Sequence, residues 1–163
     1  MKLFAGAVVA VVLCTTVCCA ENNELELPSI SAFSIGTDVN IKSVEEIATD
    51  SLNDVLLKAQ KRNEEWTKSF VQIALRLSGA ALSGTRQSVS VKIDPSEWEK
   101  GRPLNWARVT IVDEGWLDDS VSGERYVIWL VPDTDGNLTV QRILRAALCH
   151  RPYWKFYSSE PCP

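Results

Sequence analysis

At 163 residues the chain has room for one domain with a substantial core and no more. Its 17 basic residues against 21 acidic ones, with a single histidine, give a net charge of −4, which excludes the basic face that nucleic-acid binding requires. No Gly-rich phosphate loop, ordered set of metal ligands or nucleophile with a histidine partner stands out, so no cofactor is expected.

Residues 1–20 read as an export signal: Lys2 supplies the positive end, residues 3–13 the apolar run, and Cys18-Cys19-Ala20 the small residues before cleavage after Ala20. The apolar run is too short to span a membrane comfortably, so no transmembrane segment is expected after cleavage. Lipidation at one of the early cysteines is the alternative. However, Leu13, Val17 and Cys18 precede them, where a lipid-modification site usually has Gly, Ala or Ser. Cleavage removes Lys2 and leaves 143 residues with a net charge of −5. Of the five cysteines, Cys149 and Cys162 remain, an even pair that an oxidising compartment, periplasmic or extracellular, is expected to join as a disulfide.

Residues 21–42 are acidic and polar around Pro28 and Gly36 and read as a flexible leader or one edge strand; residues 43–163 form the single domain. Ser43-Val44-Glu45-Glu46 has the form of a capping box that opens a turn or helix, and Ser51 with Asp54 could cap the next. Over 51–78, Leu52, Val55, Leu56, Ala59, Trp66, Phe70, Ile73, Ala74 and Leu77 recur mostly at steps of three and four. That spacing predicts one long helix of about 42 Å, with a break near Asp50 and a stop at Gly79. After Gly84 the period changes to two. Val89, Val91 and Ile93 alternating with Ser88, Ser90 and Lys92 predict a half-buried strand, followed by a loop over 95–104 in which Trp98 tucks back.

Three further strands are predicted over 106–112, 124–131 and 137–149. The last is read with Leu138, Val140, Leu144, Ala146 and Leu148 opposite Thr139, Gln141, Ile143 and Arg145. Asp135-Gly136 is the strongest turn signal and predicts a two-residue hairpin turn. The fold class expected is therefore α+β, one long helix packed on a four-stranded antiparallel meander. That element order resembles the cystatin-like fold and its cone-shaped relatives of the ketosteroid isomerase type, although the Gln-Val-Val-Ala-Gly type inhibitory loop is absent. The run 143–151 closing at Cys162 resembles the tails of small exported bacterial proteins of unknown function, where a last strand runs into a Cys, an Arg- and aromatic-containing loop, and a second Cys. That family implies no activity to carry over.

Asp113, Glu114, Asp118, Asp119 and Glu124 crowd one connection but lack the order of a calcium loop. They read as a solvated acidic loop, with Asp113 a general base only if the fold is an open cone. His150 reads as a surface histidine, and Asn137-Leu138-Thr139 as turn chemistry that also matches a glycosylation acceptor. The tail is the most distinctive surface: between Cys149 and Cys162 lie Arg151, Tyr153, Trp154, Lys155, Phe156 and Tyr157. A tethered loop rich in aromatics and bases has the character of a binding patch, while rings folded inward would seal the core. The functional expectation is an exported, non-enzymatic domain of inhibitor, immunity or assembly type, whose binding residues are Arg151, Tyr153, Trp154, Lys155 and Tyr157. Its partner would be a protein or the cell envelope. The alternative is a small-ligand binder or isomerase-type enzyme with a cavity between helix and sheet, lined by Trp66, Trp106 or Trp129.

Overall fold

A computed structural model describes residues 39–80, 82–93, 106–117, 120–151 and 154–163. The signal segment, the leader up to residue 38, the loop carrying Trp98, the acids Asp118 and Asp119, and Tyr153 lie outside the described residues. Along the chain run β1 (Asn40–Ile41), β2 (Glu45–Ile47), α1 (Asp50–Lys61), a 3-10 turn (Glu65–Lys68), α2 (Phe70–Ser78), β3 (Arg86–Ile93), β4 (Ala107–Glu114), β5 (Val121–Pro132), β6 (Leu138–Arg151) and β7 (Trp154–Ser158).

The expectation of one long helix on a four-stranded meander is corrected on both counts. Seven strands form a single mixed sheet in the order β1-β7-β6-β5-β4-β3, with β2 paired to β6 and with β1 parallel to β7. β2 and β7 lie end to end along one edge of β6, at Ile143 to Arg145 and at Ala147 to Arg151. Ser43 is consequently no helix cap: its hydroxyl lies 3.1 Å from Ser158 Oγ and accepts from the Ser159 amide. The helix itself breaks where Asn63 takes a left-handed conformation, φ 54°. Glu64 then turns extended, and Ser69 caps α2 by accepting from the Gln72 amide.

The β5–β6 connection is longer than the two-residue turn expected. The Asp133 amide donates to Asn137 O at 2.7 Å, closing the three residues Thr134, Asp135 and Gly136, of which only Gly136 has positive φ. The face assignment of β6 is also corrected. Leu130 pairs with Val140 but Trp129 with Arg142, so Gln141 is an inserted bulge residue that reverses the alternation beyond it. Val140 and Ile143 thus share the helix-covered face, while Leu144, Ala146 and Leu148 point to the other.

The sheet has apolar clusters on both faces. Under the helices, Leu56, Ile73, Ala74 and Leu77 pack with Val109, Ile111, Ile128 and Ile143. On the opposite face Val127, Trp129, Leu144, Leu148 and Tyr157 gather beneath Val39, Ile41 and Val44. The uncovered edge of β6 at Leu138 to Val140 is closed by α1: Asn53 exchanges two hydrogen bonds with the Val140 backbone, at 2.7 and 2.8 Å, and Gln60 donates to Leu138 O. Side chains there replace the missing strand.

Candidate functional site

The tail that the sequence singles out is a β-hairpin. β7 runs back along β6 with Arg151 opposite Trp154 and Cys149 opposite Phe156. Cys149 and Cys162 are joined as a disulfide with their Cα atoms 5.4 Å apart. Closing a loop of this length stabilises by about 3 kcal/mol in the chain-entropy account.

Alternation along β7 sends its residues to opposite faces. Trp154 and Phe156 share one face, their ring centroids 5.1 Å apart, and Lys42 Nζ stands 3.6 Å over the Phe156 ring. Arg151, half-buried, donates from its guanidinium to Pro163 O at 3.3 to 3.4 Å. The structure therefore brings Arg151 and Trp154 together near the hairpin end. Lys155 and Tyr157 go to the other face. Lys155 Nζ lies 3.7 Å from a Glu114 carboxylate oxygen, and Tyr157 is 1% exposed, its hydroxyl donating to Glu114 Oε1 at 3.1 Å. Tyr157 anchors the hairpin and is not available to a partner in this fold. His150 is exposed, as expected for a surface histidine.

The second face concentrates buried positive charge. Trp129 lies in register between Arg108 of β4 and Arg142 of β6. Arg142 reaches Glu46 at 2.7 Å, and Arg125, which is buried, hydrogen-bonds Tyr157. Burial pulls both the Arg108 and Arg125 guanidinium groups below their usual range. Glu114 balances this charge from several sides, since Arg86 is also 2.6 Å away. On the helix face, Glu124 holds Arg145 and accepts from the Tyr126 hydroxyl at 2.8 Å.

Asp113 is 2% exposed and wholly engaged. It accepts from the Ser83 and Gly84 amides, each at 2.8 Å, and from the Trp116 indole at 3.0 Å. This carboxylate clamps the segment before β3 to the end of β4. The three tryptophans proposed for a pocket are not gathered either. Trp66 packs at the helix layer, while Trp129 belongs to the cluster on the opposite face of the sheet. Asn137 lines an open groove of about 540 Å³ with Phe70 and Lys68, and its side-chain amide donates to Asp133 at 3.3 Å. Among the described residues no three His, Cys, Asp or Glu side chains gather as a metal site, and no helix is long and apolar enough to cross a membrane.

One feature the sequence reading missed is the exposure of β3. The strand was expected to be half-buried, but it forms the sheet edge, with Val89 36% and Val91 43% exposed. Apolar alternation marks a face without telling what covers it. No family model, no curated protein and no solved structure matches this chain.

Burial first, and then the neighbouring carboxylates, raise the hydroxyls of Tyr126 and Tyr157 to about 12 each. An unfolded tyrosine ionises near about pH 10. Between those values the unfolded chain gives up its protons first, so stability should fall as pH rises from about 10 to 12, by on the order of 2 to 3 kcal/mol per tyrosine, and stay level below. Tyrosinate absorbance followed beside urea unfolding checks this; full ionisation of all three tyrosines at pH 11 in the folded state would contradict it.

Proposed function

We propose that this is an exported, non-enzymatic interaction domain that meets a protein partner through the disulfide-locked end of the β6–β7 hairpin. The observation that carries the reading is the pairing of Arg151 with Trp154, both half-buried, on a hairpin tied two residues away by Cys149–Cys162. Tryptophan and arginine dominate interface energetics, and a hairpin held in place loses little entropy on association. Lys155 sits on the opposite face beside Glu114, and Phe156 and Tyr157 act from within to set the hairpin's position. The acids that would serve proton transfer, Asp113 and Glu124, are consumed by structural hydrogen bonds, which supports a binding role. A disulfide and an early apolar run after Lys2 support export.

The test is affinity capture from the native envelope or culture fluid with wild type, Arg151→Ala, Trp154→Ala and, as a control on the exposed side of α1, Lys61→Ala. Circular dichroism confirms each fold. The same partner should be captured by wild type and Lys61→Ala and lost with either tail variant. Equal capture by all four would remove the hairpin from the function.

A further inference from the structure

The two long borders of this sheet are treated differently. The free stretch of β6 is closed by Asn53 and Gln60, and the outermost strand on that side, β1, has only two residues. β3 has neither protection. It is eight residues long, about 27 Å at the usual rise, and it pairs with β4 through eight consecutive positions from Arg86↔Glu114 to Ile93↔Ala107 without a bulge. It contains no proline, and among the described residues nothing pairs with its outer side. Seven of its eight residues are exposed. A long, regular, open edge is a template for another strand.

Its sequence indicates which strand. We infer that β3 is a self-association edge, where two copies of this chain pair antiparallel about a two-fold axis at Ser90. In that register Val89 of each copy stands opposite Val91 of the other, Ser88 opposite Lys92, and Ser90 opposite itself. The four valines then lie together on the helix-covered side, beside the fully buried Val109 and Ile111 of each β4. Other registers fit worse. An axis at Val89 sets Arg86 against Lys92, like charges face to face. An axis between two residues sets valine against serine and puts the helix layers on opposite sides of the joined sheet. An axis at Val91 keeps only five positions of β3 paired. The contact is isologous and closes at two copies, leaving no open edge on this side. It lies on a different border from the hairpin, so it is independent of the partner proposed above.

The experiment is sedimentation velocity of the full chain over a concentration series, with hydrogen exchange of the 86–93 amides at the same concentrations. The expected result is a monomer–dimer equilibrium in which those amides become protected as the dimer fills. Val91→Lys sets an ammonium against Val89 of the second copy at two symmetric positions and should weaken association about tenfold. As Val91 is already 43% exposed, the monomer should remain folded. Val55→Lys, at a somewhat more exposed site on α1, should change nothing. A monomer at every concentration, a dimer indifferent to Val91→Lys, or 86–93 amides protected independently of concentration would each overturn the inference. The last of these would mean that another part of the same chain covers the edge.

Discussion

Ile73→Ala and Leu56→Ala are each expected to destabilise the domain by about 2–5 kcal/mol, the cost of removing methylenes from a core that cannot fully collapse around the space. The two residues come from different helices and are 0% and 1% exposed within one cluster, alongside Val109, Ile111, Ile128 and Ile143. Both are almost wholly removed from water, so little solvent can relieve the loss. Phe70 is only partly buried against the same cluster, so Phe70→Ala should cost less than Ile73→Ala. Lys61→Ala, on the exposed stripe of α1, should cost under about 0.5 kcal/mol. Urea unfolding with an unchanged denaturant slope is the measurement. Small and equal effects at Ile73 and Lys61 would mean that the helices do not bury this face.

The buried stripe of these helices was legible because a helix that covers a sheet must repeat its apolar residues at three and four. Their separation was also written in the sequence, in two signals that the long apolar pattern masked. Residues 60–65 are six consecutive polar positions with no apolar step across them, and Ser69-Phe70-Val71-Gln72 has the spacing of a capping box. A single run of 42 Å would have needed a sheet long enough to lie under it. Two shorter helices, broken at Asn63, let each follow a sheet that twists.

The four long strands were found near their observed places because alternation and the Asp-Gly turn survive burial. What alternation could not give is the bulge at Gln141, since one inserted residue leaves composition unchanged and reverses every later face. β1 and β2, at two and three residues, are too short to carry a period. β7 was hidden among aromatics that read equally well as a loop. The second apolar face was legible in principle. Tyr126 to Val131 is an unbroken apolar run, the mark of a central strand covered on both sides, and all but the last of these are buried. For the candidate site, the tail expected as a loop carries Arg151, Trp154 and Lys155 on paired strands β6 and β7. The inward turn of Tyr157 was not readable, because it depends on strand parity set by a pairing with Leu148.

Asp113→Ala is the second substitution expected to have a large effect, about 3–5 kcal/mol, although the sequence places this residue in a crowd of solvated acids. Its carboxylate is the acceptor for three donors at once, the amides of Ser83 and Gly84 and the indole of Trp116. Each donor left unsatisfied in a buried setting costs about 1–3 kcal/mol, and entering water can meet only part of that demand. The approach is so close that a Cβ at position 84 would lie 2.6 Å from an Asp113 oxygen and 2.2 Å from the Glu114 carbonyl, which is why glycine stands there. Asp113→Asn keeps one acceptor oxygen but turns an NH2 group toward donors, so it should fall between wild type and alanine. Chemical denaturation ranks the three proteins, and Trp116 fluorescence reports locally on the loss of its indole bond. An Asp113→Ala protein as stable as wild type would show that the clamp does not hold the segment before β3 in place.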